Sequence, residues 1–191
     1  LAGFEIIVAM RERTRFPNEL IERLPKLRMI ALTGGRTWTM DFDALNARGI
    51  VVSHTGGTQS TATTAELTLG LLLSATRYIP MADASLRKGG FQGGVPVGQV
   101  LEGKTLGVIG LGKIGSKMAR YGQALGMRVL AWSQNMTEEK AAAAGAKLVD
   151  KATLLTESDA ISLHVVLSER TRGIIAAQDL ARMKPSAILV N

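Results

Sequence analysis

The sequence predicts an α/β protein with parallel sheets, because short apolar runs alternate with helical patterns along most of the 191 residues. A second observation is the apolar run at 105–109, which leads directly into G-x-G-x-x-G at 110–115 and then into an amphipathic helix. The third is a glycine-rich stretch at 89–103, after which the strand–helix rhythm restarts. From position 105 onward the βαβαβ order is typical of a Rossmann-type doubly wound sheet, and the stretch before it predicts a linker between two units.

The elements follow from hydrophobic periodicity and from Pro and Gly signals. Before the linker we predict strands at 4–10, 27–32 and 50–53 and helices at 18–24 and 41–48, with the first strand buried. A long helical stretch runs from 60 to about 86. It is apolar on nearly all sides over 65–76, which indicates burial between layers or subunits, and Pro80 is expected to kink or end it.

After the linker the same signals predict a second alternating set. We predict strands at 105–109, 128–132, 147–149, 160–165 and 187–190, and helices at 113–125, 137–144, 151–157 and 178–183. Thr137 is the expected N-cap of the helix at 137–144.

The glycine motif predicts a dinucleotide site. Gly110 permits the tight turn, Gly112 lets a pyrophosphate approach the backbone, and Gly115 lets the helix pack close to the strand. The first helical turn, with Lys113 and Ile114, presents free N–H groups and the positive end of the helix dipole. The alternative is a purely structural glycine turn.

Composition excludes several other classes. The formal net charge is +7, but no cluster of Lys and Arg is interleaved with aromatic residues, so we expect no nucleic-acid partner. The chain has no cysteine and no His/Asp/Glu cluster at ligand spacing, so we expect no metal site. No apolar run is long enough to cross a bilayer, so we expect no membrane association and a cytoplasmic location.

Five segments together resemble one enzyme family, the D-isomer-specific 2-hydroxyacid dehydrogenases, which include phosphoglycerate dehydrogenases and glyoxylate/hydroxypyruvate reductases. The segments are 27–35 (LRMIALTGG), 62–77, 103–115 (GKTLGVIGLGKIG), 126–135 and 162–191. The resemblance implies three parts. Residues 1–60 would be the first part of a flavodoxin-like substrate domain, 61–97 an interdomain and dimer helix with its linker, and 98–191 an incomplete NAD(P)-binding Rossmann domain. It also implies a homodimer through the region 61–88.

The resemblance implies hydride transfer between a nicotinamide and C2 of a small, anionic 2-hydroxy or 2-oxo acid. The family's catalytic Arg, Glu and His are expected after Asn191, so we expect this chain to be a fragment that is inactive alone. His54 is then a polar strand end and not the catalytic base. An alternative function is a dinucleotide-sensing scaffold of the kind seen in C-terminal-binding-protein corepressors. A third possibility, another Rossmann protein such as an alanine dehydrogenase relative, is disfavoured by the resemblances at 62–77 and 162–191.

The resemblance also places individual residues. It puts His164, Val165 and Val166 against the cofactor and Thr171 near its phosphates, although the family usually has Pro where Val166 stands. It gives Gly35 and Arg36 a role in binding the substrate carboxylate, for which the alternative is an ordinary tight turn.

The strand at 128–132 indicates which cofactor is bound. An acidic residue normally follows this strand and binds the ribose hydroxyls of NAD, but here the chain continues with Ser133, Gln134 and Asn135. Without that charge we expect either NAD or NADP to bind, with NADP favoured. No arginine sits beside Ser133 in the sequence to hold the 2′-phosphate.

Overall fold

The computed structural model describes residues 1–35, 37–55 and 61–191. The chain forms two compact units, Leu1–Ser60 and Thr61–Asn191, each built on a parallel sheet. The α/β class is therefore confirmed. The assignment of the first unit to a substrate domain, and the division at residue 97, stay predictions.

The first unit is a three-stranded parallel sheet with two short helices. In chain order its elements are β1 (Ile6–Met10), α1 (Asn18–Glu22), β2 (Met29–Thr33), α2 (Phe42–Ala47) and β3 (Val51–His54), and the strand order is β1-β2-β3. Ile21 of α1 and Leu45 of α2 pack in one fully buried cluster with Ile30 of β2.

Strand β1 is buried on one side only. Ala9 is buried, whereas Ile6, Val8 and Met10 are each more than half exposed. The prediction of a buried strand at 4–10 was therefore wrong for the face that carries these three side chains. An apolar run does not reveal how many of its two faces another layer will cover.

The second unit is a five-stranded parallel sheet between helical layers. Its elements are α3 (Ala62–Arg77), α4 (Ile79–Arg87), β4 (Thr105–Ile109), α5 (Lys113–Ala124), β5 (Arg128–Trp132), α6 (Glu138–Ala143), β6 (Lys147–Leu148), α7 (Lys151–Glu157), β7 (Ala160–Leu163), α8 (Ala177–Leu180) and β8 (Ile188–Val190). The order is β6-β5-β4-β7-β8, so the chain builds outward from β4 in one direction and then in the other. This is the doubly wound arrangement that the sequence predicts.

Strand β4 lies at the centre of this sheet and is buried at all five positions. Leu106 and Val108 join the cluster that contains Ala119 of α5, while Ile109 joins the opposite cluster with Leu154 of α7. A central parallel strand covered on both faces is expected to be a continuous apolar run, as this one is.

The long helical stretch is broken at Tyr78 and not at Pro80. Tyr78 has φ +52°, which ends α3, and Pro80 lies in the first turn of α4. A proline is well tolerated there because the amide it lacks has no partner within the helix. The expectation that Pro80 kinks or ends the helix was therefore wrong by two residues.

Asp159 ties the beginnings of β4 and β7 together. Its carboxylate accepts a hydrogen bond from the Thr105 amide at 2.8 Å and one from Lys184 Nζ at 2.8 Å. Burial acts to raise the pKa of Asp159, but these hydrogen bonds and the nearby lysines outweigh burial and hold its pKa below the usual range. The opposite, carboxyl ends of the strands carry the candidate site.

Candidate dinucleotide site

The three loops that follow β4, β5 and β7 meet at the carboxyl edge of the second sheet. The Gly110 amide donates to the Trp132 carbonyl at 2.9 Å, and the His164 amide donates to the Ile109 carbonyl at 2.8 Å. These bonds continue the strand pairing of β4 with β5 and β7 by one residue on each side. The edge lies where the strand order reverses, which is where doubly wound sheets bind ligands.

The glycine turn after β4 has no room for side chains at two of its positions. Gly110 has φ +92°, and a Cβ there would lie 2.6 Å from the His164 carbonyl oxygen. A Cβ on Gly115 would collide with the Gly110 carbonyl oxygen. The first glycine therefore allows the turn and the close neighbouring loop, and the third allows α5 to pack against the turn.

Gly112 differs, because a Cβ there would meet nothing within 4 Å. It is the N-cap of α5, has no side-chain cap and is exposed. The packing of this protein does not require a glycine at this position. A ligand that approaches the backbone at the helix N-terminus does require one.

The loop after β7 forms the opposite wall. Ser162 Oγ lies 2.6 Å from His164 Nε2, and partial burial lowers the pKa of His164 below its ordinary value. The Thr171 hydroxyl donates to the Val166 carbonyl at 2.6 Å and accepts from the Ser168 amide at 2.8 Å. Thr171 therefore closes the loop on itself.

A cavity of about 640 Å³ lies among these loops, within the range of about 300–1,000 Å³ typical of ligand pockets. It brings together seven of the residues predicted to bind the cofactor: Gly110, Gly112, Ser133, His164, Val165, Val166 and Thr171. Lys113, Ile114 and Gly115 form the first turn of α5 and do not line the cavity. The cofactor role of all ten stays a prediction.

Several lining residues were not predicted by the sequence reasoning. They are Leu111, Trp132, Met136, Ser168, Arg170 and Ile174. Their positions beside the predicted residues on the same three loops were the available signal. Arg170 lies 37 positions from Ser133 in the sequence, so the residues beside Ser133 gave no indication of it.

The predicted carboxylate loop lies in the first unit. Gly34 follows β2 with φ +147°, its carbonyl accepts from Thr55 Oγ1 at 3.4 Å, and Gly35 is exposed beside it. Arg36 lies outside the described residues. His54 is the last residue of β3, and the substrate roles of Gly35 and Arg36 stay predictions.

Residues 69–191 match the family described as "D-isomer specific 2-hydroxyacid dehydrogenase, NAD binding domain". The chain belongs to this family. The match covers the glycine turn, all three loops and the cavity between them, so the second unit contains the family's NAD-binding domain.

Named relatives agree with this assignment. The chain is 38% identical over 186 residues to the D-3-phosphoglycerate dehydrogenase of Methanocaldococcus jannaschii, covering 97% of this chain and 35% of that protein. It is 40% identical over 181 residues to the glyoxylate reductase of Thermococcus litoralis, covering 91% and 54%. A solved structure of the Aquifex aeolicus D-lactate dehydrogenase complexed with NAD and lactic acid has a TM-score of 0.82 and 30% identity, covering 100% and 57%. The chain thus spans between about a third and three fifths of these proteins.

The described part of the chain contains no helix that is both long enough and apolar enough to span a bilayer. Nor do residues 1–35, 37–55 and 61–191 contain a group of three His or acidic side chains placed to hold a metal ion.

Proposed function

We propose that this chain is the cofactor-binding part of an NAD(P)-dependent oxidoreductase that acts on small 2-hydroxy and 2-oxo acids. The observation that carries the proposal is the cavity at the switch point, lined by Gly110 and Gly112, in a chain whose residues 69–191 match the family's NAD-binding domain. The relatives above are all named for oxidoreductases, which favours this function over a dinucleotide-sensing scaffold.

The residues around the cavity fit a dinucleotide. The open backbone at Gly112 suits a pyrophosphate, and the N-terminus of α5 supplies a favourable dipole. His164, Val165 and Val166 would contact the cofactor from the other wall, with Thr171 holding their loop. A bound nicotinamide supplies the hydride donor or acceptor at its C4; the chain's own residues bind and orient it.

We further propose that NADP is bound in preference to NAD. No acidic residue is found among the described residues that line the cavity, and the turn after β5 presents Ser133, Gln134 and Asn135. Neutral hydrogen-bonding groups there avoid repulsion of a 2′-phosphate. Titration of NADPH and NADH into the protein tests this preference. NADH binding at least about tenfold tighter, or about 1.4 kcal/mol, would contradict it.

We propose that catalysis needs residues in addition to the 191 of this chain. The family resemblance expects the acid-binding Arg and the Glu–His pair after Asn191, and it assigns the substrate carboxylate to Gly35 and Arg36. We therefore expect no hydroxypyruvate- or glyoxylate-dependent oxidation of NADPH by the 191-residue chain. We expect such oxidation by the protein extended past Asn191. Dinucleotide binding by the extended protein without reduction of any 2-oxo acid in a panel would favour the scaffold.

We also propose a homodimer through the region 61–88. Its two helices carry exposed apolar side chains, among them Leu67 and Leu71 on α3 and Ile79 and Leu86 on α4. Exposed apolar side chains concentrated in one region of the chain are typical of subunit interfaces. Sedimentation of the protein and of a Leu71→Glu variant tests this, with a dimer expected for the former and a monomer for the latter. The cytoplasmic location and the absence of nucleic-acid and membrane partners stay predictions.

A further inference from the structure

A positively charged side chain lines the cavity, and the sequence pattern did not reveal it. Arg170 is the only Lys or Arg among the described residues that line it. Arg170 belongs to the loop after β7, whereas Ser133, Gln134 and Asn135 belong to the loop after β5. Because β4 separates these two strands, the loops begin about 10 Å apart at the same sheet edge. Residues 37 positions apart in sequence thus line one cavity.

The charges around Arg170 leave it available for a ligand. The nearest acidic residue in sequence, Glu169, lies 3.4 Å from Arg172 Nη2. Within the described part of the chain Arg170 has no carboxylate within ion-pair distance, and its side chain is exposed. An arginine that faces a cavity free of acidic groups, and that no partner holds, is suited to bind an anion.

We infer that Arg170 is a specificity-determining residue that binds the 2′-phosphate of NADP across the cavity from Ser133–Asn135. The planar guanidinium can donate two parallel hydrogen bonds to the oxygens of a negatively charged phosphate. The 2′-hydroxyl of NAD carries no charge, so it would bind the guanidinium more weakly. The neutral side chains after β5 would bind the same phosphate from the opposite side. This inference rests on the proposed function, since it names the group that would produce the proposed preference for NADP.

The matched control is Arg172 on the same loop. It is also exposed, but it pairs with Glu169 and does not line the cavity. Arg170→Gln and Arg172→Gln therefore remove the same charge from neighbouring positions, and only the first removes a group that faces the ligand. Arg170→Lys keeps the charge and loses the paired donors, so we expect it to fall between Arg170→Gln and the parent chain.

The experiment is calorimetric titration of the parent chain and the three variants with NADPH, NADH, 2′,5′-ADP and 5′-AMP. We expect Arg170→Gln to weaken NADPH and 2′,5′-ADP by about tenfold and to leave NADH and 5′-AMP unchanged. Arg172→Gln is expected to change none of the four. The added affinity for 2′,5′-ADP in the parent chain should decline as salt is raised, because the contact is exposed.

The experiment distinguishes failure of the proposed NADP preference from failure of the inference about Arg170. If the parent chain prefers NADPH and Arg170→Gln keeps the full preference, the inference about Arg170 is overturned and the NADP preference stands. If the parent chain prefers NADH but Arg170→Gln still weakens 2′,5′-ADP selectively, the preference is overturned and the role of Arg170 stands. Equal losses for Arg170→Gln and Arg172→Gln overturn the inference about Arg170 alone, whereas no binding of any nucleotide overturns the proposed function together with it. Thermal melts of each variant confirm that these exposed substitutions leave the fold intact.

Discussion

Alanine substitutions at Gly112 and Gly115 should affect different properties, affinity at the first and stability at the second, although the two residues are three positions apart in one motif. A methyl group on Gly112 enters open space, and the residue has φ −83°, which any residue can adopt. A methyl group on Gly115 collides with the Gly110 carbonyl oxygen, which cannot move without displacing the turn. We therefore expect Gly112→Ala to fold normally and to lose dinucleotide affinity, and Gly115→Ala to lose stability.

The expected magnitudes follow from what each methyl group displaces. At Gly112 it separates the pyrophosphate from the amides that would bind it, and one lost hydrogen bond to a charged group costs about 1.5–3 kcal/mol. That corresponds to a dissociation constant raised about ten- to a hundredfold. At Gly115 the crowding costs about 1–3 kcal/mol, and each kcal/mol lowers the melting temperature by about 2–4 °C in a protein of this size.

The assay measures both properties on both variants. Melting temperature comes from circular dichroism, and NADPH affinity from calorimetric titration at a temperature where each variant is folded. Gly112→Ala with parent affinity for NADPH would show that the ligand does not approach the backbone at this position. Gly115→Ala with parent stability would show that the fold does not need the close packing of α5 on the turn.

Two other residues of the site give further expectations. Because the pKa of His164 is lowered in the folded protein, folding opposes its protonation, so the free energy of unfolding should fall as pH decreases below about 6.5. A pH series of urea melts should show a shallower fall for His164→Gln, and identical slopes would contradict this. Thr171→Val removes the hydroxyl bonded to Val166 and Ser168, so we expect a loss of about 1 kcal/mol from loop order and weaker NADPH binding. A variant with parent NADPH affinity would show that this loop does not contact the ligand.

The sequence predicted β4 and β5 well because each of these strands is bounded by a clear signal, whereas the strand predicted at 160–165 extends two residues past the observed end of β7 at Leu163. β4, β5 and α7 begin and end at the predicted residues, and Thr137 is the N-cap of α6 as expected. These boundaries depend on local caps, glycines and apolar runs, which a single sequence displays.

Features that depend on distant contacts were not predictable in the same way. The left-handed conformation of Tyr78 ends α3 without a glycine or proline at that position. The exposure of Val8 depends on what covers the sheet. The position of Arg170 opposite Ser133 depends on the strand order, which places β5 and β7 on either side of β4. Each is a property of the assembled fold and not of a local segment.

Trp132 lies on the wall of the cavity between the three loops and can report directly whether this cavity binds a nicotinamide dinucleotide. A Trp38→Phe variant leaves Trp132 as the only tryptophan of the chain. Titration of NADPH into this variant, followed by tryptophan emission and by calorimetry, is the measurement to make. We expect saturable quenching of Trp132 emission, with the same dissociation constant as the calorimetric titration gives. NADPH binding that leaves Trp132 emission unchanged, or no binding at all, would contradict it.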